Sequence, residues 1–270
     1  MLVAAIDTRP DLFEAAGFSD RVVEADADSL LDRADIVLFA VPSTKQIVTF
    51  LAAARGRPGQ FIVDLTTSDP VQSRELAADL AQRGIAYIDA AMTGGAAGAD
   101  AGTLTLMVGG EAANVASCRP VLDAISTRVF HLGETGAGHA MKLVHNLILH
   151  SSFLATCEGL RLAERAGIDL NSAVEVLNAG NARSFVTEVR FPRDILSGTM
   201  MARSRIANLE KDLGLALEFA AETKARILFG TMTHNVLAEA IAAGYSESDF
   251  SWLFPHYEDL IDRLEVEKRT

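Results

Sequence analysis

The sequence predicts an α/β domain built on a mostly parallel sheet, followed by an all-helical domain. Three observations carry this. Short apolar runs closed by polar or turn residues alternate with helical stretches through the first half. One of these runs, Asp35–Val41 (DIVLFAV), is continuously apolar after its first residue, as a strand buried on both faces requires. Beyond the glycine-punctuated segment 133–138, strand signals fade and helical periodicity takes over.

Taken in order, Leu2–Ile6 is a short β-prone run that ends in Asp7-Thr8-Arg9-Pro10. Asp35–Val41 is stopped by Pro42, which has no N–H to give to a sheet. Phe61–Leu65 (FIVDL) repeats the pattern and ends in Thr66-Thr67-Ser68. A helical stretch from Val71 to Arg83 stops at Gly84, and Ala86–Asp89 reads as the next strand, closing near Thr93-Gly94-Gly95. Leu104–Val108, a helix over Glu111–Ile125 and a strand over Arg128–Leu132 extend the sheet. Met141–Ala166 reads as one long helix with Gly167 at its C-terminal stop. Further helices are expected at Asn171–Ala179, Ile206–Thr223, Gly230–Ala243 and Asp249–Glu265. The expected domains are residues 1–136 and 137–270.

The bulk properties exclude several classes. The formal net charge of −12 argues against nucleic acid or an anionic membrane surface as partner, since both favour basic patches. No apolar run approaches the roughly 18–20 residues of a membrane span. The start, Met1–Ile6, is too short for a signal peptide and runs directly into Asp7. The two cysteines, Cys118 and Cys157, form neither a metal spacing nor a disulfide framework, which fits a reducing cytoplasm. His139, His145 and His150 lack the i,i+4 spacing of a helical metal site, so none is expected.

Three segments converge on one family. Tyr87–Gly110 (YIDAAMTGGAAGADAGTLTLMVGG) resembles the substrate-loop signature of the β-hydroxyacid dehydrogenases. Gly136–Asn146 (GAGHAMKLVHN) resembles their catalytic helix, in which a lysine is followed four residues later by an asparagine. Leu209–Ala216 (LEKDLGLA) resembles their Lys-Asp motif in the helical domain. The family includes 3-hydroxyisobutyrate dehydrogenases and tartronate semialdehyde reductases, with 6-phosphogluconate dehydrogenases as relatives. The resemblance implies a Rossmann-like NAD(P)-binding domain, a helical substrate and dimerisation domain, and hydride transfer between nicotinamide and a small β-hydroxy acid.

In that reaction the alcohol needs a base and the carbonyl an acid. A lysine in a closed cleft, tuned to a pKa of about 7–8, serves both directions. The resemblance gives Lys142 that role, although a lone lysine is ordinarily a solvated surface group. Asn146, four residues on, shares a helix face with it and is assigned to substrate bonding or to orienting the amine. Thr93, Gly94 and Gly95 let backbone N–H groups crowd an anion, which suits a substrate carboxylate; the plainer reading is a flexible turn. The family usually has a proline and a serine in this loop, where this chain has Ala91 and Thr93. Val41, Pro42 and Thr67 stand at the carboxyl ends of strands, where doubly wound sheets bind ligands, and the resemblance places them on the cofactor. Lys211 is expected to reach the nicotinamide or substrate with Asp212 beside it; a plain surface charge pair is the alternative. His145 stands where the family often has asparagine, three residues from Lys142, either facing the cleft or packed in the helix.

In a Rossmann fold the acid on the ribose follows G-x-G-x-x-G by about 20 residues. Asp7 resembles that acid, which places the glycine loop and the first βα unit upstream of Met1. Either the working enzyme is longer, or the chain has lost its pyrophosphate site and acts as a non-catalytic, degenerate family member that binds a partner. Asp7 favours NAD through the ribose 2′-OH, whereas Arg9 keeps NADP open. Apolar residues on several sides of the long helix, Val144, Leu147, Ile148 and Leu154, predict a homodimer or a higher even oligomer through residues 139–270.

Overall fold

The computed structural model describes residues 4–9, 11, 23, 24 and 26–267. The chain separates into two compact units, Met1–Lys142 and Leu143–Thr270.

In the first unit, β1 (Ala4–Ala5) pairs in parallel with β2 (Val23–Glu24) as a two-stranded sheet. Leu2 and Val3 of the expected first run lie outside the described residues. The remaining strands form a five-stranded sheet in chain order: β3 (Ile36–Phe39), β4 (Phe61–Asp64), β5 (Ala86–Thr93), β6 (Leu104–Gly109) and β7 (Ser126–Gly133). All neighbours run parallel except β5 and β6. That exception follows from chain length, because a parallel crossover takes about a dozen residues or more. Residues 94–103 instead hold only a turn and the short helix α4 (Gly95–Asp100). Strand β5 runs past the expected end at Asp89 because Ala90 and Ala91 pair with β6 and are fully buried.

Both faces of the sheet are covered, as the unbroken apolar runs require. Val37, Phe39, Ile62 and Tyr87 pack against helices α2 (Thr44–Ala53) and α3 (Pro70–Gln82). Their strand neighbours Val63, Ile88 and Leu106 pack on the other side against α5 (Ala112–Ile125) through Cys118 and Leu122. A shorter helix, α1 (Ala27–Arg33), capped by Asp26, buries Leu30 and Leu31 in the first of these clusters.

The next helix, α6 (Ala137–Arg165), begins four residues before the expected Met141 and runs into the second unit. There it is followed by α7 (Leu170–Ala179), a π-helix (Val186–Leu196), α8 (Ile206–Thr223), α9 (Leu228–Ala242), a 3-10 turn (Phe250–Leu253) and α10 (Tyr257–Glu267). No element was expected over Val186–Leu196. Pro192 lies inside it and gives no N–H to an α-helical ladder, so the segment winds in wider turns. The single final helix expected over Asp249–Glu265 is two pieces separated at Pro255, a break that the proline itself signals. The core of this unit is aromatic: Phe153 stacks edge-on to Phe250 at 5.0 Å, and Phe191 edge-on to Phe254 at 5.2 Å.

Candidate active site

Strands β3 and β4 deliver two neighbouring turns, Val41-Pro42-Ser43 and Thr66-Thr67-Ser68. Val41 and Thr67 are half-buried and Pro42 is exposed. The turns are tied together at the head of α2. The Thr44 N–H donates to Ser68 Oγ at 3.2 Å, and the two hydroxyls are in hydrogen-bond contact. Beneath them lies Asp64, fully buried at the end of β4. It accepts from the Tyr87 hydroxyl at 2.8 Å and from the Thr66 N–H at 2.9 Å. Burial first, and then the Asp64 charge, push the Tyr87 phenol well above its ordinary pKa, so it remains a donor.

Strand β5 ends at Thr93, and the chain then turns through Gly94 (φ 125°) and Gly95 (φ 62°) into α4. Both glycines use backbone that a side chain disfavours. A Cβ on Gly95 would meet nothing within 4 Å, so the backbone there faces open space, as an anion cradle needs.

Lys142 is half-buried in the second turn of α6. That helix is anchored by Asp89 of β5, which is fully buried. The two Asp89 oxygens accept the Gly136 N–H at 2.7 Å and the His139 N–H at 2.9 Å. A carboxylate therefore satisfies two of the N–H groups that a helix start leaves open, and stands at the positive end of its dipole. Gly138 is required beside it: a Cβ there would sit 2.9 Å from Asp89 Oδ2 and closer still to the Met107 carbonyl. This cap explains the earlier start of α6. Asp64, Asp89 and His139 were not singled out as site residues from the sequence. The available signal was an aspartate closing each of two apolar strands, in FIVD and YID.

In the second unit, Asn146 is buried one turn beyond Lys142 on the same helix. Its Nδ2 donates to Asp212 Oδ2 of α8 at 2.6 Å. Its Oδ1 lies 3.0 Å from His145 Nδ1; an amide oxygen only accepts, so this imidazole nitrogen carries the hydrogen. Lys211 Nζ pairs with Asp212 Oδ1 at 3.0 Å. The pair is thus more than adjacent surface charges, because Asp212 also holds the Asn146 amide. His145 is half-buried and turned onto Asn146.

Asp7 is exposed just after β1 and accepts the Arg9 N–H at 2.8 Å. The Arg9 guanidinium is held by Asp11, with Nη2 to Oδ2 at 2.6 Å. Among the described residues no cluster of His, Cys, Asp or Glu could hold a metal ion, and no helix is long and apolar enough to cross a membrane.

The dinucleotide that the resemblance implies fits the first unit. Parallel strands end at adjacent turns, Ser43 heads α2 without capping it, and the buried Thr66 hydroxyl has no partner. A Rossmann-like domain with such strand ends, followed by a helical unit, defines an NAD(P)-dependent oxidoreductase. Comparison with known proteins agrees. Residues 2–133 match the family described as the NAD binding domain of 6-phosphogluconate dehydrogenase. Residues 136–257 match that described as the NAD-binding region of NADP-dependent 3-hydroxyisobutyrate dehydrogenase. The human mitochondrial 3-hydroxyisobutyrate dehydrogenase is 31% identical over 92% of this chain and 77% of its own length. An NAD-dependent L-serine dehydrogenase of Pseudomonas aeruginosa is 30% identical over 91% of this chain and 85% of its own. The solved 3-hydroxyisobutyrate dehydrogenase of Mycobacterium tuberculosis, with L-serine, superposes with a TM-score of 0.86 at 27% identity, covering 95% of this chain and 90% of that one. The chain belongs to the β-hydroxyacid dehydrogenase family, and it is an NAD(P)-dependent hydroxyacid dehydrogenase.

Proposed function

We propose that the substrate is a small β-hydroxy acid and that Lys142 is the general acid/base. The observation that carries this is the double use of β5. Asp89 in this strand caps the helix that bears Lys142, and the same strand ends in the Thr93-Gly94-Gly95 cradle. One rigid element therefore supports both the candidate base and the candidate carboxylate anchor. The names of the relatives support the substrate class, since 3-hydroxyisobutyrate and L-serine each carry a hydroxyl on the carbon β to a carboxylate.

Bound NAD(P) supplies the hydride acceptor. Val41, Pro42 and Thr67 are assigned to holding it, with Asp7 on the ribose. Arg9 is engaged by Asp11, which supports NAD over NADP. As the substrate carbon gives up hydride, the Lys142 amine takes the hydroxyl proton; in reduction the ammonium returns it. The Thr93-Gly94-Gly95 backbone fixes the carboxylate and so the orientation of the hydroxyl. Asn146, its amide oriented by Asp212 and His145, is assigned to the substrate hydroxyl. Lys211 is assigned to cofactor or substrate contact.

We further propose a homodimer or higher even oligomer formed through the helical unit. On α6, Val144 and Ile148 are 45% and 58% exposed, while Leu154 is buried, so one side of the helix serves the core and another is left for a second subunit. Two free, buried cysteines support a cytoplasmic location.

The test is steady-state turnover on 3-hydroxyisobutyrate, L-serine and longer β-hydroxy acids with either cofactor, followed by reduced-nicotinamide absorbance. Lys142→Ala should lower kcat by about 10²–10⁴-fold on the best substrate. Near-normal turnover in that variant removes Lys142 from the mechanism.

A further inference from the structure

The first turn of α6 carries a buried histidine that the reaction above does not use. His139 is fully buried, three residues before Lys142. Its Nδ1 lies 2.6 Å from Ser73 Oγ on α3. Ser73 Oγ also lies 2.9 Å from the Asp69 carbonyl, to which it donates. A hydroxyl has one hydrogen, and a carbonyl can only accept. Ser73 thus bridges the His139 ring and the Asp69 carbonyl, its one hydrogen serving one of the two contacts. The other nitrogen, Nε2, makes no hydrogen bond and faces Asp64 Oδ1 at 3.8 Å. The backbone N–H of the same residue goes to Asp89. One residue thus joins the start of α6 to α3 through its ring and to β5 through its backbone.

We propose that His139 is a positioning residue for Lys142, acting through the hydrogen bond between its Nδ1 and Ser73 Oγ. This rests on the reading of Lys142 as the acid/base. The two residues are three apart on one helix, so they lie on neighbouring positions of its surface. Asp89 fixes the axial position of the helix start, because it accepts along the axis. Two backbone bonds to one carboxylate still leave rotation about the axis loosely held. The His139 ring, reaching sideways to α3, locks that rotation and with it the direction in which Lys142 leaves the helix. The ring faces Ser73 Oγ at Nδ1 and Asp64 Oδ1 at Nε2, while its backbone N–H goes to Asp89. Of these, Ser73 is the one at hydrogen-bond distance from the ring, at 2.6 Å.

The test uses the full chain with its best substrate. His139→Asn places an amide nitrogen where Nδ1 stands, whereas His139→Gln places it where Nε2 stands. His139→Ala and Ser73→Ala should each lower kcat about tenfold with cofactor KM within about twofold, the effect of one buried hydrogen bond. Amide exchange at residues 139–143 should quicken by a similar factor. His139→Asn should restore most of both, His139→Gln neither, and the His139→Ala/Ser73→Ala double variant should be no worse than His139→Ala alone. Equal behaviour of the asparagine and glutamine variants overturns the proposal, as do losses that multiply in the double variant. Exchange that follows the expected order while kcat stays constant also overturns it. Ser73→Ala removes one oxygen only, so it keeps the question decidable even if His139→Ala folds poorly. Full turnover by Lys142→Ala is a separate result and strikes the underlying reading instead.

Discussion

Asp89→Asn isolates the contribution of the helix cap. The carboxylate accepts one N–H on each oxygen, at 2.7 and 2.9 Å, with no exposure to water. The amide keeps one acceptor and turns an NH₂ toward the other N–H. That backbone donor is then buried without a partner, at a cost of about 1–3 kcal/mol. Loss of the negative charge at the helix N-terminus adds about 0.3–1 kcal/mol, and up to about 2 at a buried site. The expected loss is about 2–4 kcal/mol. Asp89→Ala, which strands both donors, should lose more. Urea unfolding followed by far-UV circular dichroism measures it, with the fluorescence of the single tryptophan, Trp252, following the second unit separately. With a slope of about 1–3 kcal/mol per molar urea, the midpoint should fall by about 1 M or more at unchanged slope. A loss under about 1 kcal/mol in Asp89→Asn would show that the cap is not what holds the start of α6.

Four further outcomes are expected. Gly138→Ala should destabilise the first unit by about 1–3 kcal/mol in the same urea assay, because the methyl meets Asp89 and the Met107 carbonyl rather than space. Asp212→Ala releases both the Asn146 amide and Lys211 and should lower kcat/KM by at least about tenfold in the nicotinamide assay, whereas Asp212→Asn, which keeps an acceptor for the amide, should lose less. Burial pushes the Cys118 thiol from 9.0 up to about 11 and the Cys157 thiol higher still, so both should resist alkylation at pH 8 until the protein unfolds, as mass spectrometry will show. Because the folded state holds these protons more tightly, their contribution to stability is full below the ordinary thiol pKa and is lost as pH rises toward 11. Light scattering at micromolar concentration should give a discrete even stoichiometry unchanged on dilution; a 28.8 kDa monomer refutes the proposed assembly.

The apolar part of this fold is legible in the sequence because it is periodic. Asp35–Val41 and Phe61–Leu65 announce strands buried on both faces, and α8 begins and ends where its pattern does, at Ile206 and Thr223. Two proline signals went unread in the sequence: Pro255 marks the break before α10, where a single helix was expected, and Pro192 marks where an ordinary helix cannot form, in a segment for which no element was expected. The family resemblance is what assigned roles to the lysine, asparagine and glycines, because the motifs that carry it are contiguous stretches readable along the chain.

The polar interior was not legible, and the reason is distance along the chain. Asp89 meets Gly136 and His139 across 47 and 50 residues, and His139 meets Ser73 across 66. No local pattern records a pairing of that range; the only trace is the cost that an unpaired buried aspartate would carry. An aspartate closing an apolar strand is therefore a question about which distant donors reach it. Here the answer for Asp89 is the first turn of the lysine helix. That makes the cap part of the support for the candidate base although it touches no substrate: it decides where α6 starts, and so whether an ordered turn stands before Lys142. With α6 beginning at Ala137, Lys142 stands in the second turn, after a first turn whose N–H groups are held by a buried carboxylate. Beginning at Met141, as the sequence pattern alone suggests, it would stand among the loose N–H groups of the first turn, where a helix dipole disfavours a cation and frayed backbone cannot aim one.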